Sequence, residues 1–344
     1  MPSKTELASR FVSSLGLTPV LGALRSAFRN DFLVLAYHRV LPELNEAAYA
    51  FDTELVSALQ ADFDWQMAYV ARHFQPVSCQ QVADAFRSGV RLPKRAMMVT
   101  FDDGFSDNHE VAFPVLRRHG VPALFLLSTN YIGTQRIFWF DWLVHVLLRT
   151  SARQIRLDAL GLTIDLGATA AARRVEALKL LHLLKRTPES RRLQSLQQLD
   201  QAAAVDLTDA DRAQSAPMTW DQVREMSIAG MEIGSHTASH PILSTITDPA
   251  LLRFELEESK AILERETGRP VIALAYPVGG RDAVNAEVLA ATAQAGYQIA
   301  FTYEPGGNRL PSHERFMLKR IHVERYMTRA MFAAAVEMPE IFGR

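Results

Sequence analysis

The sequence has one cysteine in 344 residues, Cys79, so no internal disulfide can form and nothing asks for an oxidising compartment. Within Val77-Ser78-Cys79-Gln80-Gln81 that thiol reads as a small buried side chain, not a nucleophile. No excess of charge of either sign is present: 37 Lys and Arg against 38 Asp and Glu leave a formal net charge of -1. That balance removes the electrostatic reason to expect nucleic acid or an anionic membrane as a partner. No apolar run approaches the ~20 residues that span a bilayer, and no internal repeat or low-complexity linker is visible. A secretory leader is poorly supported. Lys4 and Arg10 flank a mildly apolar stretch, 11–24, but Glu6 sits in its basic part and Ser13, Ser14, Thr18 and Pro19 break its apolar part. With Phe11, Leu15, Leu24 and Phe28 on roughly one face, residues 1–30 are expected as a packed or interfacial helical segment. The expected location is the cytoplasm, with contact to the inner membrane surface offered only by that segment.

What the chain does have is the ordinary apolar content of a globular protein, 48%, arranged in a rhythm. Apolar runs at 32–38, 75–77, 96–100, 123–127, 231–235, 271–276, 298–302 and 317–322 read as strands. Between them, 53–73, 78–89, 108–119, 248–267 and 284–295 read as helices, with a further helix starting near 219. Ser78 with Gln81, and Thr219 with Gln222, have the spacing of capping boxes at helix starts. Repeated β-then-α order with continuously apolar strands predicts an α/β fold, a parallel sheet of about seven strands covered by helices, closed or nearly closed into a barrel over 31–344. The rhythm breaks at 131–215, which is rich in Leu, Ala, Arg and Gln and reads as a helical insertion in one βα connection.

Polar residues gather where the strands are expected to end, the place where parallel barrels assemble their sites. Ala96-Met97-Met98-Val99 runs into Thr100-Phe101-Asp102-Asp103-Gly104, and Met231-Glu232-Ile233-Gly234-Ser235 into His236-Thr237-Ala238-Ser239-His240. Two further ends carry Tyr276-Pro277-Val278-Gly279-Gly280 and Arg320 with His322. Two imidazoles and one carboxylate supply three ligands for a divalent metal and leave a position open for water. The second carboxylate of the Asp-Asp pair is then free to act as a base, because adjacent strand residues point in different directions. Asp-Asp-Gly alone is usually a turn. The combination at strand ends is what matches the ligand count.

Residues 100–104 and 236–240 resemble the first two signature motifs of the polysaccharide deacetylases (carbohydrate esterase family four, the NodB-homology domain). The resemblance covers roughly 95–130 and 216–325, with a weaker echo at Leu35-Ala36-Tyr37-His38-Arg39-Val40, and skips the insertion. It implies a deformed (β/α) barrel. It also implies Asp102 as general base, Asp103, His236 and His240 as metal ligands, and a divalent metal, zinc first, with cobalt, manganese or nickel as alternatives. By the same likeness the backbone N–H of Val278 would face the oxyanion, and His322, in Leu318-Lys319-Arg320-Ile321-His322, would be the general acid. The third motif usually reads Arg-x-Pro-x-Gly; here it is Ala275-Tyr276-Pro277-Val278-Gly279, without the arginine that would orient the base. Arg281 or Arg320 could stand in, a surface ion pair being the plain alternative for both. The fourth motif, an Asp-Trp pair, has no clear counterpart: Asp141-Trp142 lies in the insertion and reads as an ordinary helical position. His38, Tyr276, Arg281 and Arg320 are candidate substrate contacts. His73, His109, His119, His145, His182 and His313 are expected to be solvated. Tyr131, Phe138, Trp139, Phe140 and Trp142 read as packing for the insertion before they read as sugar platforms.

The expected activity is removal of an N-acetyl group from an amino sugar in a glycan, oligosaccharide or lipid-linked precursor, by a water that the metal activates. An O-acetyl esterase would use the same site. A degenerate glycan-binding module is the non-enzymatic alternative, and the missing third-motif arginine is its support.

Overall fold

The structure is a computed structural model that describes residues 31–343 together with Gly22, Arg25, Ser26 and Arg29. Apart from those four, the helical segment expected over 1–30 lies outside the described residues. The chain enters through β1 (Asp31–Tyr37), β2 (Arg39–Leu41) and β3 (Val56–Leu59), followed by α1 (Gln60–His73), β4 (Gln75–Pro76) and α2 (Cys79–Ser88). Next come β5 (Ala96–Phe101), α3 (Phe113–His119) and β6 (Ala123–Leu127). The alternation then gives way to α4 (Trp139–Arg149), β7 (Gln154–Leu157), β8 (Leu162–Asp165), α5 (Ala170–Leu184), α6 (Glu189–Ala203) and α7 (Asp209–Gln214). It resumes with α8 (Trp220–Ile228), β9 (Glu232–Ser235), α9 (Pro249–Thr267), β10 (Ala273–Ala275), α10 (Ala286–Gln294) and β11 (Ile299–Phe301). The chain closes with β12 (Asn308–Arg309), β13 (Ile321–His322), α11 (Arg329–Glu337) and α12 (Pro339–Phe342). Both expected capping boxes are present, at Ser78 on α2 and at Thr219 on α8. Among the described residues no helix is long and apolar enough to cross a membrane.

The strands pair in the order β11-β10-β9-β6-β5-β1, every pair parallel; β13 adds to β1 in parallel and the short β12 antiparallel, and the short β4 lies beside β5. Leu318 then reaches the opposite edge: its N–H donates to Ala300 O at 3.0 Å and its carbonyl accepts from Thr302 N–H at 2.8 Å. The segment leading into β13 therefore bridges β11 to β1 and curls the seven parallel strands into the expected deformed barrel. The strands are buried on both faces, and side-chain alternation divides each one between two cores. Phe32, Val34, Ala96, Met98, Leu124, Leu126, Ala273, Ala275, Phe301 and Leu318 form the inner cluster, closed by Cys79, Val82 and Ala83 of α2. The intervening residues, among them Leu35, Val99, Phe101 and Phe125, pack outward against helices, for example Phe63 of α1 and Leu116 of α3.

Four local expectations are corrected. The helix expected over 53–73 starts only at Gln60; Asp52 caps a single turn at Thr53–Leu55, and Val56–Leu59 is a strand because it pairs with β2 and buries Val56 and Ala58. The insertion is not wholly helical: β7 and β8 form an antiparallel hairpin whose Gln154-Ile155-Arg156-Leu157 alternates exposed and buried. His145 is not solvated. It points into the insertion's own core, its ring stacked between Phe51 at 5.3 Å and Trp142 at 5.8 Å. Asp141 is no ordinary helix position either. Fully buried on α4, it accepts Asp52 N–H at 3.0 Å and the Ser215 hydroxyl at 2.7 Å, tying the insertion to the barrel, and burial raises its carboxyl to about 6.

Gly234 shows how closely the strands approach. A Cβ there would stand 2.9 Å from Leu126 Cδ2 and 3.1 Å from Ala273 O. Gly234→Val is therefore expected to destabilise the barrel by about 1–3 kcal/mol through overpacking, read as a lower urea midpoint at unchanged m-value.

Candidate active site

Inward alternation continues past the apolar tiers and delivers the polar ones. Ala96, Met98 and Thr100 point inward along β5, so Asp102, next in that series, also points into the barrel mouth; Arg320 follows Leu318 in the same way. Strand alternation alone would turn Asp103 away from the mouth; the chain leaves the extended conformation there, with φ 74° at Asp103 and 95° at Gly104, where a Cβ would meet Ile132 Cδ1 at 2.8 Å, and the Asp103 carboxylate lines the same cavity. His236 and His240 lie in the loop after β9, and Val278 in the turn after β10.

Asp103, His236 and His240 form a buried cluster whose three ligand atoms lie within 4.8 Å of one another. Asp103 Oδ1 stands 3.5 Å from His236 Nε2 and 3.3 Å from His240 Nε2. It is buried and accepts no hydrogen bond, an arrangement that costs stability unless a cation takes the donor's place. His236 Nδ1 lies 2.9 Å from Ala275 O, and a carbonyl can only accept, so the proton is on Nδ1 and the Nε2 lone pair faces the cluster. Burial lowers the pKa of both histidines, that of His240 to about 3, so both imidazoles are neutral and competent to ligate. Two imidazole nitrogens and one carboxylate oxygen suit a divalent metal of the zinc type with a position left open. The cluster could hold such an ion.

Beside it, Asp102 is paired in a fork with Arg320: Nη1 donates to Oδ1 at 2.7 Å and Nη2 to Oδ2 at 2.8 Å. Arg320 is fully buried, and its Nε donates to Thr302 O at 2.9 Å. Burial pushes the Asp102 carboxyl up, but the Arg320 guanidinium overrides it and holds Asp102 well below the ordinary carboxylate range. Asp103 has no such partner, and burial raises it. Two adjacent carboxylates are thus driven apart by their surroundings.

Six non-glycine residues among those described have positive φ, and four of them are here: Asp103 (74°), Thr237 (69°), His240 (58°) and Val278 (63°). For β-branched Thr and Val this is strained, at about 1–3 kcal/mol each, and strain of that kind persists only where the surroundings enforce it. Val278 is held by its neighbour: Gly279, also at positive φ, lies so close to Tyr303 N that a Cβ would fall 2.6 Å from it.

The cluster and Asp102 open onto a cavity of about 560 Å³, walled by the barrel loops and by Phe140, Arg174, Leu178 and Lys185 from the insertion. The Phe140 ring meets His240 edge-on at 5.2 Å. His38 lines this cavity with Nε2 3.9 Å from Asp102 Oδ2, and Val278 and Tyr276 line it too, although the Tyr276 hydroxyl is directed at Thr292 Oγ1, 3.4 Å away. Arg320 lines the cavity as well, with its guanidinium engaged by Asp102 and Thr302. Arg281 is exposed and outside the cavity lining, and its backbone N–H donates to Glu304. His322 is also absent from the lining: its ring lies flat on Tyr303 at 3.4 Å, its Nε2 is buried without a partner, and burial lowers it to about 3. Sequence reasoning missed Glu255 on α9, whose carboxylate accepts two backbone N–H groups of the His236-to-His240 loop. No spacing in the sequence connects it to that loop.

The C-terminal strand ends of this curled parallel sheet thus carry a cluster that could hold a divalent metal and, beside it, an arginine-held carboxylate. The polysaccharide deacetylase family matches residues 89–300, and the chain belongs to that family. Over 105 residues, 30% of this chain, it is 32% identical to the poly-β-1,6-N-acetyl-D-glucosamine N-deacetylase of Escherichia coli (strain K12), and this match spans only 15% of that relative's length. The Streptococcus pyogenes deacetylase PplD, solved in complex with acetate, superposes with a TM-score of 0.57 at 19% identity, covering 87% of this chain and 94% of that one. IcaB from Ammonifex degensii gives 0.57 at 17% identity, covering 89% and 96%. Both structural likenesses speak for the fold.

Removing the guanidinium should cost stability in a pH-dependent way. Arg320→Met leaves a buried carboxylate without its cation, a loss of about 3–5 kcal/mol at pH 7. In the wild type the folded pKa of Asp102 is depressed, so its stabilisation is present above the unfolded value of about 3.9 and lost only as pH falls below it. In the variant, burial acts unopposed and raises that pKa, so protonation relieves the penalty. The stability gap between the two metal-free proteins should therefore narrow from pH 7 to pH 4 in denaturant unfolding; a gap of constant size would contradict the pairing.

Proposed function

We propose that the chain is a divalent-metal-dependent deacetylase that removes the N-acetyl group from an amino sugar of a glycan, oligosaccharide or lipid-linked precursor. The observation that carries this reading is the juxtaposition, in one cavity, of the buried Asp103/His236/His240 cluster and a carboxylate kept ionised by Arg320. The name of the Escherichia coli relative, a deacetylase of poly-β-1,6-N-acetyl-D-glucosamine, favours amide over ester and an N-acetylglucosamine substrate. Staphylococcus aureus relatives carry the same name at 26% identity over 118 residues. Zinc suits the donor set best, with cobalt, manganese and nickel as alternatives.

When bound, such a cation makes water acidic and polarises the acyl carbonyl. Asp102, ionised and oriented by Arg320, accepts the proton of the attacking water. The Val278 N–H, held rigid by the turn at Gly279, donates to the oxygen that becomes negative. A proton must then reach the departing nitrogen. We assign this step to His38, the cavity-lining imidazole outside the ligand cluster: burial lowers its pKa, the neighbouring Asp103 and Asp102 carboxylates oppose that, and it must take up a proton before passing one to the nitrogen. His322, expected from the sequence, is screened by Tyr303. Arg320 does for Asp102 what the absent third-motif arginine would do, which removes the main support for a degenerate binding module.

The test is acetate release from N-acetylglucosamine oligosaccharides by the metal-loaded protein. Asp102→Asn should lower kcat by about 10²–10⁴-fold, the usual range for loss of a general base, while the protein still binds metal. In the same assay His38→Ala should fall by about 10²-fold or more, with His322→Ala closer to wild type. Equal losses at His38 and His322 would refute the assignment of the acid. Metal binding without turnover on any N-acetylated or O-acetylated glycan would turn the reading towards a binding module.

A further inference from the structure

Glu255 lies in the middle of α9 at 2% exposure. Its Oε2 accepts the backbone N–H of Ala238 and of Ser239, both at 2.9 Å, and its Oε1 accepts the Ser239 hydroxyl at 2.6 Å. Among the described residues it makes no ion pair. All three donors belong to the short loop between His236 and His240. One turn further along α9, Ser259 Oγ lies 2.8 Å from Ser235 Oγ, which in turn accepts Thr237 N–H at 3.1 Å. Residues 255 and 259 share a helix face, so a single face of α9 grips the loop at its base and at its centre. Thr237, at φ 69°, is held at the first grip, and His240, at φ 58°, follows directly on the second. A free loop would relax out of such conformations, and the imidazoles would turn with it.

A carboxylate buried against neutral donors alone is a poor stabiliser, since its desolvation offsets much of what three hydrogen bonds return. What the arrangement does achieve is a fixed direction for both Nε2 atoms. We propose that Glu255 is a positioning residue: by clamping the 237–239 backbone from α9 it aims His236 and His240 at Asp103 and so sets the metal affinity of the cluster. The inference rests on the reading of that cluster as a divalent-metal site.

Zinc titrated calorimetrically into the metal-free protein separates this role from a merely structural one, with thermal melts of the same metal-free samples alongside. Glu255→Ala should raise the zinc Kd by about 10–100-fold, the usual cost of losing an outer partner of a metal site, in protein that is still folded at the titration temperature. Glu255→Gln should stay within about threefold, because its amide oxygen can take both backbone donors and its NH2 can donate to Ser239 Oγ. Ser239→Ala removes one of the three grips and should weaken binding by about two- to fivefold, the equivalent of one modest hydrogen bond. If Glu255→Ala does not fold, Ser239→Ala decides the matter alone. Wild-type affinity in the variants that fold would overturn the inference and leave the metal site standing. Glu255→Gln as weak as Glu255→Ala would also overturn it, since charge and not the clamp would then govern binding. A wild type that binds no zinc would fail the site itself, and this inference with it.

Discussion

A carboxylate buried as deeply as Asp102 stays ionised only if a cation is buried against it, and Arg320 supplies that cation in fork geometry. The pair cannot be read as a gain in stability, because desolvation of two ions offsets most of their attraction. Its consequence is chemical. With Arg320 fixed by Thr302 O and by Asp102, one aspartate of the pair remains a proton acceptor at neutral pH. The adjacent Asp103 faces two neutral imidazoles with an oxygen that no donor satisfies. One barrel mouth thus holds an ionised carboxylate beside an electron-rich cluster, each set by its own surroundings.

Holding these groups together strains the backbone, and the rest of the fold is arranged to keep the strain in place. Four positive-φ residues lie in three connections, after β5, β9 and β10, and each connection is tied to a neighbour. His236 N–H donates to Leu127 O and the Ser128 hydroxyl donates to His236 O, both at 2.8 Å, fastening the histidine loop to β6 while α9 grips it from the other side. The insertion contributes a wall. It is anchored through Asp141 to Asp52 and Ser215, and it brings Phe140 against His240 and Lys185 to the cavity. One wall of the cavity is therefore built from a segment outside the alternating barrel pattern.

Much of this was legible in the sequence, for identifiable reasons. Continuous apolar runs gave the parallel strands because both faces are buried, and strand ends gave the two motif clusters because barrels gather polar groups there. Arg320 was within reach of the same logic, standing two residues beyond inward-facing Leu318, whereas Arg281 had only proximity in sequence to recommend it. Three short strands escape such reading: Val56–Leu59 merges with an amphipathic helix pattern, and the hairpin at Gln154–Leu157 and Leu162–Asp165 alternates for only four residues a side inside a helix-rich block. His145 and Asp141 were misjudged because a polar residue on a helix is usually exposed, and only tertiary packing reveals the core they enter. The screening of His322 by Tyr303 and the left-handed conformations of Thr237 and Val278 are likewise tertiary. Nothing in the identity of a β-branched residue announces a positive φ.

The measurement that tests the central claim most directly is X-ray absorption at the metal edge of the zinc-loaded protein, with metal content determined on the same sample. The account predicts one zinc per chain bound by two imidazole nitrogens and a carboxylate oxygen at about 2.0–2.2 Å with no sulfur in the shell, lost together in His236→Ala/His240→Ala. Substoichiometric zinc, a sulfur ligand, or an unchanged spectrum in the double variant would contradict it.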